Sequence, residues 1–333
     1  MRILLVIVIA AAASWSGYWL IGSRGVENGL RGWLDAQADA GWVANYTSVN
    51  TRGFPNRLDT TITDLELADP ATGVAWSAPF FQLLRLSYNP NHIIAVWPNE
   101  QTIASPRQRI TVVSERARGS FVFKPGTDFE LDRSSVVFNG IMLSSNEGWS
   151  SAIAEGLLAT RPSAARADTV DIGFELTDLR PASPALAQLA DAGLLPGTVE
   201  QLKIDAALTF DAPWDRQAIE VRRPAVTEVE LNLLQVKWGQ LDLWAAGDLS
   251  VNAAGQASGS ITVKARNWRE MLQIAVASGW IPEGLGSTLE SGLGLLAQLS
   301  GSPKTLDAPL TFRNGRVSFG PIPLGALPPL RLR

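Results

Sequence analysis

Few side chains in this sequence are equipped for chemistry, and their types narrow the options quickly. The single histidine, His92, sits in "YNPNHIIAVWP". As a general base it would need a nucleophile beside it and an orienting acid behind it, both brought in from elsewhere in the chain. No G-x-S-x-G elbow and no phosphate loop ending in Gly-Lys-Ser/Thr is present. His92 therefore reads as a hydrogen-bonded residue at the start of a strand. Cysteine is absent, which removes disulfides, thiolate zinc sites, iron–sulfur clusters and a cysteine nucleophile. With one histidine, metal sites of two or three imidazoles go as well. Asp64, Glu66 and Asp69 offer carboxylate oxygens in the spacing D-x-E-x-x-D, but without the loop glycine and terminal glutamate of a calcium loop. They read as a solvated strand edge. No catalytic residue, metal site or cofactor is assigned, and "NYT" at 45–47 is read as a chance glycosylation triplet.

Two arginines are more informative. In "PLTFRNGRVSFG" (309–320), apolar and polar residues alternate on both sides of Asn314-Gly315. Asn-Gly between alternating runs signals a two-residue hairpin, because both central positions of a type I′ turn need φ > 0. The register then places Arg313 opposite Arg316, Phe312 opposite Val317 and Leu310 opposite Phe319. Like charges directly across a strand pair cost up to about 1 kcal/mol. An anion is expected beside them, either a carboxylate of the same protein or a lipid or polysaccharide phosphate. With these arginines, Trp280, Leu285, Leu289 and Leu293 of the C-terminal third are candidate ligand-binding residues.

Composition sets the class. The chain has 333 residues, 46% hydrophobic and 18% charged, enough for a sizeable core. Its net charge is −4, and its 28 basic residues, 23 of them arginine, are scattered. Nucleic-acid binding has no electrostatic footprint here. Residues 3–22, "ILLVIVIAAAASWSGYWLIG", carry no charge. At about 1.5 Å per residue such a helix reaches roughly 30 Å, the thickness of a bilayer's hydrocarbon core. Arg2 ahead of the run is expected to stay in the cytoplasm, leaving the body outside it. A cleaved signal peptide, with small residues at 10–13, is the competing reading. Resumed apolarity at Tyr18, Trp19, Leu20 and Ile21 favours an uncleaved anchor over 1–24.

The elements follow from periodicity. A short amphipathic helix is expected over 25–44, then strands from 58 to 138, with a change of phase near Asp64 that suggests a bulge. Trp149, Ile153 and Leu157, spaced by four, suggest a helix over 147–159, and "TRPSAARAD" (160–168) a linker. This divides the body into β-rich halves, 25–160 and 169–333. In the second half, Val170, Ile172, Phe174 and Leu176 alternate strictly, as do Leu202 through Phe210. Capping patterns place helices at about 183–193 and 267–279. A third helix, 283–300, carries Gly284, Gly286, Gly292 and Gly294, each costing about 1 kcal/mol against alanine. Close approach to another backbone or a mobile flap would account for them. "TDLELADP" (63–70) echoes "TDLRPASP" (177–184), and "DAGLLP" (191–196) echoes "ASGWIP" (277–282), which suggests related halves. The fold class is thus mainly β to α+β, a strongly curved antiparallel sheet with a few amphipathic helices and an N-terminal transmembrane helix.

"GFPNRLDTTITDLELADPATGVAW", "NPNHIIAVWP" and "PKTLDAPLTFRNGRVSFGPIPLGALPPL" resemble the bacterial domain-of-unknown-function family DUF2125 from about residue 25 onward. That resemblance implies an uncharacterised cell-envelope protein and carries over no catalytic residues. More distantly, the anchor, strand-rich body and closing hairpin look like AsmA-type envelope proteins, whose long curved sheets imply lipid handling. The expected function is non-enzymatic: an inner-membrane protein with its body in the periplasm and an apolar groove for lipid. The alternative is an assembly module binding another envelope protein through sheet edges or the tail "GPIPLGALPPLRLR".

Overall fold

Alternation of apolar and polar residues dominates the chain beyond residue 42, and antiparallel strands follow from it. The computed structural model describes residues 1–330 except 184, 185, 187, 189, 191, 192, 194, 280, 300–303, 320 and 321. Two compact units are present: Met1–Phe123 with Val136–Gly148, and Lys124–Ser135 with Trp149–Arg333.

The first unit begins with helix α1 (Arg2–Asp39), long and apolar enough to cross a membrane. It continues without a break through residues 22–25, where separate helices were expected. Gly25 costs only about 1 kcal/mol within a helix, and docking of the following turns offsets it. Strands β1 (Val43–Asn45) and β2 (Ser48–Arg52) both pair with β3 (Asp59–Asp69). Strands β4 (Val74–Leu86), β5 (Asn89–Val96), β6 (Glu100–Ala104), β7 (Arg109–Val113) and β8 (Arg116–Phe123) follow. In β9 (Leu131–Ser145), residues from Val136 belong to this unit. The helix lies along β2: Arg31 Nη2 donates to Val49 O (2.7 Å) and Thr51 N donates to Glu27 Oε1 (2.6 Å). Leu34, 1% exposed, packs with Val49, Ile62 and Leu65.

The second unit is a sequential meander. Strands β10 (Ser150–Pro162), β11 (Thr169–Leu179), β12 (Val199–Phe210), β13 (Val226–Trp238), β14 (Leu241–Val251) and β15 (Ala257–Arg266) each pair antiparallel with the next. After β15 come β16 (Thr305–Arg313), β17 (Arg316–Phe319) and β18 (Ile322–Ala326). The closing hairpin has the register its Asn-Gly turn demands, Arg313 against Arg316 and Leu310 against Phe319, with Asn314 at φ 50 and Gly315 at φ 75. Helix α2 (Arg216–Glu220) follows β12, and Asp215 caps it by accepting from the N–H groups of Gln217 and Ala218. Helices α3 (Trp268–Ala277) and α4 (Glu283–Leu299) lie between β15 and β16.

Several expectations are corrected. Residues 150–162 are a strand: Trp149, Ile153 and Leu157 are four apart, which satisfies a period of two as well as a helical one. The proposed linker is the end of β10 and its hairpin turn to β11, with Ser163 N donating to Thr169 O (2.8 Å). Asn267 precedes α3 in a left-handed conformation (φ 57) and does not cap it; its side chain donates to Gln240 O (2.7 Å). Much of 183–193 lies outside the described residues, although Leu186 N donates to Ser183 Oγ (3.4 Å) and Leu186 packs with Leu195 and Leu241.

The phase change at Asp64 has a backbone cause other than the expected bulge, since β3 keeps one register with β4 on either side of it, Thr63 against Phe80 and Leu65 against Ala78. Asp64 is left-handed (φ 51), and Ile62 and Leu65, three apart, are both buried. Asp178 adopts the same conformation (φ 50) between Leu176 and Leu179. Aspartate tolerates this region better than most residues. The echo "TDL" in 63–65 and 177–179 is therefore one local device used twice.

Candidate functional site

Register alone assembles an apolar face across the second unit, because residues paired across strands point to the same side. One row runs Leu158, Phe174, Ile204, Leu234, Ala245, Val263, Ala308. The next runs Thr160, Ile172, Ala206, Leu231, Gly247, Ile261, Leu310. A bulge at Asn232, whose Nδ2 donates to Asp205 Oδ1 (3.0 Å), lets Val229 and Leu231 share this face with Leu234 and Val236. Between β14 and β15, Gly247 and Gly259 have φ of 152 and 144, and a Cβ on either would sit 2.2 Å from a backbone carbonyl oxygen of the facing strand. Bulge and glycines both bend a sheet locally.

Helices α3 and α4 cover one end of this face. Leu289, Leu293 and Ala297 of α4 are buried against Ala265, Leu306, Ala308 and Phe319, together with Trp268 and Leu272 of α3. The next side of α4 meets α3: a Cβ at Gly286 would lie 3.1 Å from Val276, and one at Gly294 3.6 Å from Arg269. Between them Glu290 reaches Arg269 at 3.8 Å. Gly286 thus serves close helix–helix approach, while Gly294 faces α3 at ordinary contact distance.

The other end is less covered, although Leu176, Ala206 and Phe210 are buried on it. Among the described residues, the buried clusters reach β13 only at Val229 and Trp238 and do not extend to β12 or β11. Val170, Ile172, Phe174, Ile204, Leu208, Leu231 and Leu234 remain half-buried. A cavity of about 270 Å³ opens on this strip over Val170, Ile172, Leu208 and Phe210, closed at one end by Trp214. Trp214 stacks edge-on against Phe210 at 5.5 Å. The volume lies just below the range of about 300–1,000 Å³ usual for ligand pockets, and suits a slender apolar group. On the opposite face of these strands Arg161 pairs with Asp171 (3.3 Å) and Arg166 with Glu230, and just past β12 Arg222 pairs with Asp211 (2.8 Å). The Arg222 hydrogen bond, helped by the Ala225 N–H, holds the Asp211 carboxyl below its ordinary value.

The residues singled out from the sequence do not converge. Arg313 and Arg316 are exposed, and among the described residues no carboxylate pairs with either. Leu289 and Leu293 are packed beneath α4, Leu285 is 52% exposed, and Trp280 lies outside the described residues. His92 Nε2 is 2.8 Å from Ser120 Oγ on the paired strand, and no carboxylate hydrogen-bonds to the ring among the described residues. There too, no group of three or more acids and histidines converges on a point that could hold a metal. The strip residues were visible as an alternating pattern, but nothing in the sequence says that α3 and α4 cover only the far end.

No curated protein and no solved structure matches the chain. The model of a family described as an uncharacterised protein conserved in bacteria, DUF2125, matches residues 19–328. That span starts within α1 and takes in the less covered strip, both helices over the sheet and the closing hairpin, so the chain belongs to the DUF2125 family.

Proposed function

We propose that this is a non-enzymatic, membrane-anchored envelope protein whose second unit receives the acyl chain of a lipid on the less covered strip of β10–β13. In this reading α1 is the inner-membrane anchor, Arg2 stays in the cytoplasm and the body lies in the periplasm, serving envelope maintenance or lipid transport. The observation that carries the reading is the unequal cover of one continuous apolar face, packed under α3 and α4 at one end and open at Ile172, Phe174 and Leu208. An acyl chain meets the chemistry of such a strip, since it gains by leaving water and asks for no hydrogen bonds. The full chain purified from membranes is expected to carry lipid that mass spectrometry detects. Ile172→Glu, which puts a charge on the strip and leaves α1 untouched, is expected to lose the bound fraction. Equal lipid in both proteins would assign it to the surroundings of α1 and refute the reading.

A second reading, docking of another envelope protein by strand addition, is favoured by one feature. Among the described residues, β18 pairs on one side only, with β17, and Leu324 on it is 51% exposed.

A further inference from the structure

The first unit grips α1 lower than a complete membrane span would leave room for. Trp15 Nε1 donates to Pro55 O (3.0 Å), the Tyr18 hydroxyl to Ser87 O (2.8 Å) and Trp19 Nε1 to Arg57 O (2.7 Å). The loops 53–57 and 86–91 therefore sit at the level of helix residues 15–19. Below them only residues 2–14 of the helix are free of the body. At about 1.5 Å per residue, that stretch spans roughly 20 Å, about 10 Å short of a hydrocarbon core. The uncharged run, however, reaches Gly22, and a plane through Gly22 lies about 4.5 Å above Trp19, whose ring donates to Arg57 O.

What lies below that plane suits lipid. Phe54 is 55% exposed and Tyr88 65%, although both are large apolar-bodied side chains. Neither 53–56 nor 86–91 contains a charged residue. On the side of α1 turned away from the loops, Leu20 and Ile21 are exposed, Ile21 by 75%. Trp15, Tyr18, Trp19, Phe54 and Tyr88 make an aromatic group of the kind found at membrane interfaces. Arg57, at the upper end of its loop and paired with Asp59 (2.8 Å), can reach the headgroups along its aliphatic stem.

We propose that the base of the first unit, loops 53–57 and 86–91, is sunk in the bilayer leaflet beside α1, so that the body is held against the membrane at a fixed height and tilt instead of swinging on a stalk. Hydrophobic mismatch supplies the driving force: a short free span is met by drawing apolar surface of the body into the leaflet. This rests on the reading of α1 as a membrane span, and the test separates the two.

Because the chain has no cysteine, single spin labels can be placed without background. Labels at Phe54→Cys, Tyr88→Cys, Val6→Cys and Val74→Cys, each in the full chain in nanodiscs of phosphatidylethanolamine and phosphatidylglycerol, report collision with oxygen and with a water-soluble nickel chelate. Val74 is exposed and starts β4 at the end opposite Leu86, about 40 Å away. Labels at 6, 54 and 88 are expected to favour oxygen over nickel several-fold relative to position 74. If position 6 is lipid-shielded while 54 and 88 behave like 74, the sunken base is refuted and the span stands. If position 6 also behaves like 74, both fall. Phe54 and Tyr88 are exposed and on separate loops, so loss of one variant to misfolding leaves the other to decide.

Discussion

Leu293→Ala removes the branched end of a side chain pinned between α4 and the sheet, where Ala265, Leu306, Ala308 and Phe319 close around it. Leu285→Ala makes the same chemical change two turns earlier on the same helix, at a position 52% exposed. Leucine and alanine differ little in helix propensity, so the pair isolates burial. Truncating a buried leucine costs about 2–5 kcal/mol through lost transfer energy and the cavity left behind. Surface truncations stay within about 0.5 kcal/mol. In a unit of about 200 residues, 1 kcal/mol moves Tm by roughly 2–4 °C. A mid-range loss of about 3 kcal/mol at Leu293 then lowers Tm by about 6–12 °C, against about 2 °C or less at Leu285. Near-ultraviolet circular dichroism of the detergent-solubilised full chain during heating reads both. Equal, small shifts would mean that α4 is not seated on the sheet. The mobile flap suggested by its glycines would then replace the packed helix.

Two further outcomes follow from local geometry. Gly259→Ala should lower Tm, since a Cβ there lies 2.2 Å from Asp248 O at φ 144, whereas Gly173→Ala, with nothing within 4 Å, should not; equal effects would refute the tight β14–β15 crossing. The Asp211 carboxyl, lowered by its Arg222 hydrogen bond, contributes stability that is complete above its unfolded value near 3.9 and fades as pH falls through the lower folded value. A carboxyl-carbon NMR titration should show Arg222→Ala raising the inflection toward that unfolded value, and an unmoved inflection would remove the assigned cause.

The hairpin at 309–320 was fully legible because a two-residue turn leaves no freedom of register, so face and pairing follow from letters alone. At Asp64 the change of phase was legible but not its form: an apolar spacing that slips from two to three needs an extra residue or an unusual backbone angle, and the chain uses the angle where a bulge was expected. Residues 147–159 were misread because a spacing of four is common to both periods, and only the partner strand, remote in sequence, decides between them. The helix break expected near residue 24 failed for the opposite reason. Local composition favours a pause there, but Glu27, Arg31 and Leu34 are held by β2 and its neighbours, and that docking is invisible in the run itself. As for the site, which rows of a long apolar face stay open depends on where α3 and α4 come to rest. Periodicity carries no such information.

Asn232 has a consequence of its own. The pairing sums of β13 with both neighbours shift by one residue at this point and nowhere else along β13 between Glu228 and Lys237. Excising Asn232 would restore uniform ladders on both flanks while leaving Leu231, Leu234 and Val236 facing as they do now. The residue is thus dispensable for polarity and for partner choice. Beyond its hydrogen bond to Asp205, what it adds is a local bend in β13, so a single codon can change that bend without rewriting any strand.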